Sequence, residues 1–138
     1  MSLRSDCIAK LATNLSAVTG IAKVVVANGE VDINQYPVAQ LPLLAIRADS
    51  ETANYETSSY AEWVLSVSVT LYFLAKIEEA SAKETLITAV KNKIGGDPTL
   101  GAICEMCEII SLQSGGEYPL FREIISLKIL FERSISNV

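Results

Sequence analysis

The stretch Tyr60–Leu74 reads YAEWVLSVSVTLYFL. Its odd positions, Trp63, Leu65, Val67, Val69, Leu71 and Phe73, form an unbroken apolar row; its even positions include Glu62, Ser66, Ser68, Thr70 and Tyr72. Side chains alternate between the two faces of a strand, so this spacing predicts one long strand with a dry face and a wetter one. Wound as a helix, the same apolar residues would scatter round the whole cylinder. One-sided burial points to an antiparallel or mixed sheet rather than a parallel one buried on both faces.

A second long strand is expected over Leu120–Arg133 (LFREIISLKILFER), with Phe121, Ile125, Leu127, Ile129 and Phe131 on one face. Ile124 and Leu130 interrupt the polarity of its other face. Shorter strands are expected over Ile21–Ala27, over Leu41–Ala48 with Pro42 at its start, and over Ile103–Gln113 with a bulge. Leu3, Cys7, Ile8, Leu11, Leu15 and Val18 recur at helical spacing, which predicts an amphipathic helix from Ser5 to Val18 stopped by Gly20. Ser81 to Glu84 reads as a capping box opening a second helix, whose stripe is Leu86, Ile87, Val90 and Ile94 and whose end is Gly95-Gly96. The implied fold is α+β: a mainly antiparallel or mixed sheet of about five strands with two helices packed on one face, in the order α-β-β-β-α-β-β. Residues 1–138 form a single domain in this reading.

Half of the residues are hydrophobic, and the mean hydropathy is +0.34. No apolar run approaches the roughly 20 residues that span a bilayer, and MSLRSDCIAK lacks the layout of a secretory signal, so a soluble cytosolic chain is expected. The excess apolar surface then needs another outlet, and burial between subunits supplies one. Two helices cover only one sheet face. The opposite face would carry Tyr60, Val64, Tyr72, Leu74, Ile124 and Leu130, so a subunit interface is expected there, with cover by the connector loops as the alternative.

Residues 49–62 (DSETANYETSSYAE) hold Asp49, Glu51, Glu56 and Glu62 with no basic residue. They read as a loop between two strands. Two roles stay open for it: a solvated extension of the hairpin, or a mobile acidic loop that orders against a partner or lines a channel.

Chemistry is sparse. The chain has no histidine, the commonest general base, and no G-x-S-x-G, S-x-x-K or glycine-rich phosphate loop. Cys104 and Cys107 form a C-x-x-C. With no histidine and only Cys7 besides, a four-ligand zinc site is not expected, and on a strand the two would face opposite sides. Buried structural thiols are the reading that remains. Glu105 and Glu108 read as solvated strand residues. The net charge is −5 and the basic residues are dispersed singly, which opposes a nucleic-acid binder that grips the backbone. No catalytic residue, cofactor or metal is expected.

Several local signatures occur in a telling order: Thr19-Gly20-Ile21 leading to Val26, then Leu41-Pro42-Leu43-Leu44-Ala45-Ile46. A long strand entered through Trp63-Val64-Leu65 follows, then a helix closing on Asp97-Pro98-Thr99-Leu100-Gly101, and finally two strands. Over nearly its full length the chain resembles the tail-terminator proteins of long-tailed bacteriophages, the group that includes lambda minor tail protein U. The resemblance implies a structural virion protein and not an enzyme. Such proteins form a hexameric ring on the head-proximal end of the tail tube, halt tube growth and offer a docking surface to head-completion or connector proteins. DNA passes through as cargo without specific binding, and no membrane is involved. Members have a long mobile loop between the middle strands, here Asp49–Glu62. The rival readings are a neck (stopper) or other tail-completion protein of the same fold, a cytosolic dimeric α+β ligand-binding module, and a small carboxylate enzyme.

Overall fold

Alternation in the two long apolar-rowed segments builds the centre of the molecule. The computed structural model describes residues 3–27, 41–55, 60–74, 80–117 and 120–134. Its elements are α1 (Leu3–Ser16), β1 (Lys23–Ala27), β2 (Leu43–Tyr55), β3 (Tyr60–Leu74), α2 (Ala80–Gly95), β4 (Met106–Glu117) and β5 (Leu120–Ser134). The element order is the expected one, and the fold is α+β. The five strands form one mixed sheet in the order β1-β2-β3-β5-β4. β1 runs parallel to β2, and every other neighbouring pair is antiparallel. β5 is thus inserted between β3 and β4, which run in one direction and are joined through α2.

On the inner face the odd positions of β3 meet those of β5 directly: Leu65 opposite Ile129, Val67 opposite Leu127, Val69 opposite Ile125, Phe73 opposite Phe121. The two phenylalanine rings stack with centroids 6.2 Å apart. Leu44 and Ile46 of β2 extend this row of buried side chains. Cys7, Ile8, Leu11 and Leu15 from α1, and Ile87, Val90 and Ile94 from α2, close over the same face in one continuous core. Each large apolar side chain buried this way contributes about 1.5–3 kcal/mol. α1 ends in a tightened turn, with Ala17 N–H donating to Asn14 O and Val18 N–H to Leu15 O, and Gly20 follows at φ 98°.

Two expectations are corrected. Residues 49–55 are not loop: β2 continues through them to Tyr55, pairing Ser50 with Ser66, Glu51 with Leu65, Thr52 with Val64 and Ala53 with Trp63. β3 is long, and its backbone groups need ladder partners along that whole length, a demand that outweighs the polar composition of 49–55. A bulge at Asp49 resets the register. β4 begins at Met106 rather than Ile103, because residues 97–105 make a turn in which Leu100 and Ala102 take φ of 50° and 70°. α2 begins at Ala80, and the side chain of Ser81 lies outside the described residues.

Candidate functional site

Among the described residues, the candidate interaction surface is the sheet face away from the helices together with the two edge strands. The register lays that face out in rows. One row is Thr52–Val64–Leu130–Met106, with Val64 directly opposite Leu130. The next are Ser50–Ser66–Lys128–Glu108 and Arg47–Ser68–Ser126–Ser111. Beyond them lie Ala45–Thr70–Ile124–Gln113 and Leu43–Tyr72–Arg122–Gly115. The residues expected to make a subunit interface therefore fall into separate groups. Val64 and Leu130 are neighbours at one end; Ile124 and Tyr72 sit at the other. Six residues of strand, about 20 Å, separate Leu130 from Ile124, and two rows of hydroxyls and charges lie between. All four side chains are half-buried. Leu43 and Ala45, beside Tyr72 and Thr70, are buried, so the Tyr72 end is already sheltered. Tyr60 and Leu74 stand opposite Ser134 and Leu120, with their own side chains outside the described residues.

The four acids expected on one mobile loop are dispersed as well. Asp49 sits on the β2 bulge, where Arg47 Nε donates to its Oδ1 at 2.8 Å and the Ser68 hydroxyl donates to Oδ2. Glu51 points to the inner face, where Arg4 of α1 reaches its Oε2 at 3.5 Å; its side chain is 17% exposed. Its Oε1 is buried with no hydrogen-bond partner among the described residues. Asp49 and Glu51 thus occupy opposite faces of a strand. Glu62 lies half-buried within β3, on the outer face opposite Glu132. Glu56 lies outside the described residues.

Cys7, Cys104 and Cys107 are all free and buried. Cys104 and Cys107 do not face opposite sides: Cys104 precedes β4 in the turn, and both join the core. Burial pushes the Cys7 and Cys107 thiols up to about 12, with the nearby Cys104 adding to both shifts, and burial raises Cys104 also. Thiols so placed stay neutral and unreactive near pH 7. Glu105 and Glu108 are exposed. No group of three or more Cys, Asp or Glu side chains among the described residues is disposed to hold a metal, and no described helix is long and apolar enough to cross a membrane.

The turn after α2 is tied to α1. Asp97 accepts the Gly101 N–H at 2.9 Å through Oδ1 and the Asn14 amide at 2.8 Å through Oδ2. These two bonds hold its carboxyl below the usual carboxylate range. Thr99 Oγ1 accepts the Ala102 N–H at 3.2 Å, and Leu100 is buried. The turn thereby sets where β4 enters the sheet.

Two features are absent from the sequence reading. Glu123 is a buried acid on the inner face of β5, taking a 2.5 Å hydrogen bond from the Ser114 hydroxyl. Its signal was the gap it leaves between Phe121 and Ile125 in an otherwise apolar row. The second concerns the edges. The exposed large apolar residues among those described are Val26 (55%), Met106 (44%), Ile110 (59%) and Leu112 (37%). The first is on β1 and the other three on β4, the two edge strands. No local pattern announces an edge, because strand order is not written in any one strand.

No protein-family model matches this chain, and no curated protein matches it in sequence. Among solved structures the fold is similar to that of a chain in the virion of a native gene transfer agent (GTA) particle. The likeness has a TM-score of 0.51 at 10% identity and covers 96% of this chain and 98% of that one. It is a likeness of fold, carried over nearly the whole of both chains.

Proposed function

We propose that this protein is a structural subunit of a phage-like virion, and within such a particle a tail terminator. Six copies would form a ring on the head-proximal end of the tail tube, stop its growth and present a docking surface to head-completion proteins. The observation that carries this is the fold shared end to end with a chain of a gene transfer agent virion. The ordered signatures from Thr19-Gly20 to the Asp97–Gly101 turn favour the terminator role within that class.

The physical character of the chain agrees with it. In this reading its work is geometric; the described thiols are held neutral, and the described acids are dispersed or engaged in structural bonds. Apolar surface left on the edges of a folded domain is suited to packing against other subunits. A net charge of −5 keeps DNA from adhering as it passes.

Electron microscopy of the purified protein mixed with tail tubes tests the assignment. Annuli seated on one end of each tube are expected. Annuli that bind capsid portals and ignore tubes would move the protein to the neck, and binding to neither would overturn the reading.

A further inference from the structure

We propose that neighbouring copies join edge to edge, β4 of one subunit pairing antiparallel with β1 of the next, so that the sheet runs on from subunit to subunit. This rests on the assembly reading above and names the surface that carries it.

Three observations lead there. First, every exposed large apolar residue among those described lies on an edge strand: Met106, Ile110 and Leu112 on β4, Val26 on β1. A sheet edge also offers a row of backbone donors and acceptors, and greasy edges of this kind are templates for another strand. The molecule's own turn covers only the start of β4, where Cys107 N–H donates to Pro98 O at 2.6 Å. Beyond that point no described residue pairs with the outer side of β4.

Second, the strand directions fit. β1 and β2 share a direction, and each later neighbour in the order reverses it, so β1 runs opposite to β4. A second copy placed by a rotation about an axis along the strands keeps its sheet in continuation. Its β1 then arrives antiparallel to β4, the more stable pairing. Such a joint is heterologous and uses both edges, and it closes into a ring when the rotation is a whole fraction of a turn. A two-fold dimer through β4 alone would leave Val26 in water.

Third, the charges are complementary. β4 (Met106–Glu117) carries Glu108 and Glu117 and no cation, so this edge is acidic as a whole. β1 carries Lys23 and no acid.

Ile110→Lys and Val26→Lys test the joint, with Ile110→Ser as a milder second variant. Both side chains are more than half exposed in the subunit, so circular dichroism should show an unchanged fold. Each lysine variant alone should sediment at the 14.9 kDa of one chain. Mixed in equal amounts, the two should give a species of twice that mass and no larger. The Val26→Lys copy keeps an intact β4, and the Ile110→Lys copy keeps an intact β1. Ile110→Ser should weaken assembly by at least tenfold in concentration. Loss of assembly in Ile110→Lys alone, with Val26→Lys behaving as the parent, would mean that β4 pairs with itself and would overturn the heterologous joint. A mixture that stays at one-chain mass, or two variants that both assemble normally, would overturn it also, with the parent's assembly left standing. A parent chain that never exceeds one-chain mass, with or without tail tubes, would sink the assembly reading and the joint together.

Discussion

Leu127→Ala, set beside Ser126→Ala, probes the register on which the account of the two faces depends. Leu127 is buried at the centre of the inner face, opposite Val67 on one side and Ile109 on the other. Cutting a buried leucine to alanine in a packed core costs about 2–5 kcal/mol, the lost transfer energy plus the cavity left behind. For 138 residues, an unfolding entropy of about 2.1 cal/mol/K per residue makes 1 kcal/mol worth about 3.4 °C in Tm. A cost of about 3 kcal/mol then lowers Tm by about 10 °C. Ser126 is the adjacent residue, half-buried on the outer face between Ser68 and Ser111. Its replacement should stay within about 0.5 kcal/mol, under about 2 °C. Thermal unfolding followed by circular dichroism in the Ile110→Lys background removes any contribution from assembly. Equal losses at the two positions, or the larger loss at Ser126, would refute the assigned faces. A slip of one residue in pairing reverses every side chain of a strand.

Three further outcomes follow from the same geometry. Cys7 and Cys107 ionise near 9 in the unfolded chain but only at about 12 in the fold. Their effect on stability is therefore nil below pH 9 and increasingly unfavourable from there to about 12; Cys107→Ala should flatten that alkaline limb of a denaturation series, and an unchanged limb would contradict the burial described. Asp97 has its folded value below the ordinary 3.8, so its contribution is present above that pH and lost as the pH falls through the folded value. Asp97→Asn should flatten the acid limb, and an equal decline below pH 3.8 in parent and variant would remove Asp97 from the account. Gly116 has φ 91°, and a Cβ there would stand 2.8 Å from Leu120 O and 2.9 Å from Phe121 Cα. Gly116→Ala should cost more than about 1 kcal/mol in a urea titration, and a neutral result would mean that the β4–β5 turn is misplaced.

How far the fold could be read from residues depended on the kind of information each feature needs. β3 and β5 were legible because alternation is local and both carry six or so turns of it; the stripe of α1 and the Gly20 stop were legible for the same reason. The second half of β2 was not. Residues 49–55 look like a polar loop, and only the length of β3 beside them makes them a strand. Register was out of reach as well. Even positions of β3 and β5 share the outer face, yet alternation does not say that Val64 meets Leu130 while Ile124 lies several rows away. The bulge at Asp49, which throws Asp49 and Glu51 to opposite faces, is likewise a property of pairing. Strand order is the most distant kind of information. The insertion of β5 between β3 and β4 pushes β4 to an edge and exposes Met106, Ile110 and Leu112, and no window of sequence records it.

The most direct test of the account is the mass of the native protein in solution, measured by sedimentation equilibrium across micromolar concentrations. The account predicts a closed species at six times the 14.9 kDa chain mass, in exchange with smaller multiples. A single species at one-chain mass over the whole range, unchanged when tail tubes are added, would contradict it.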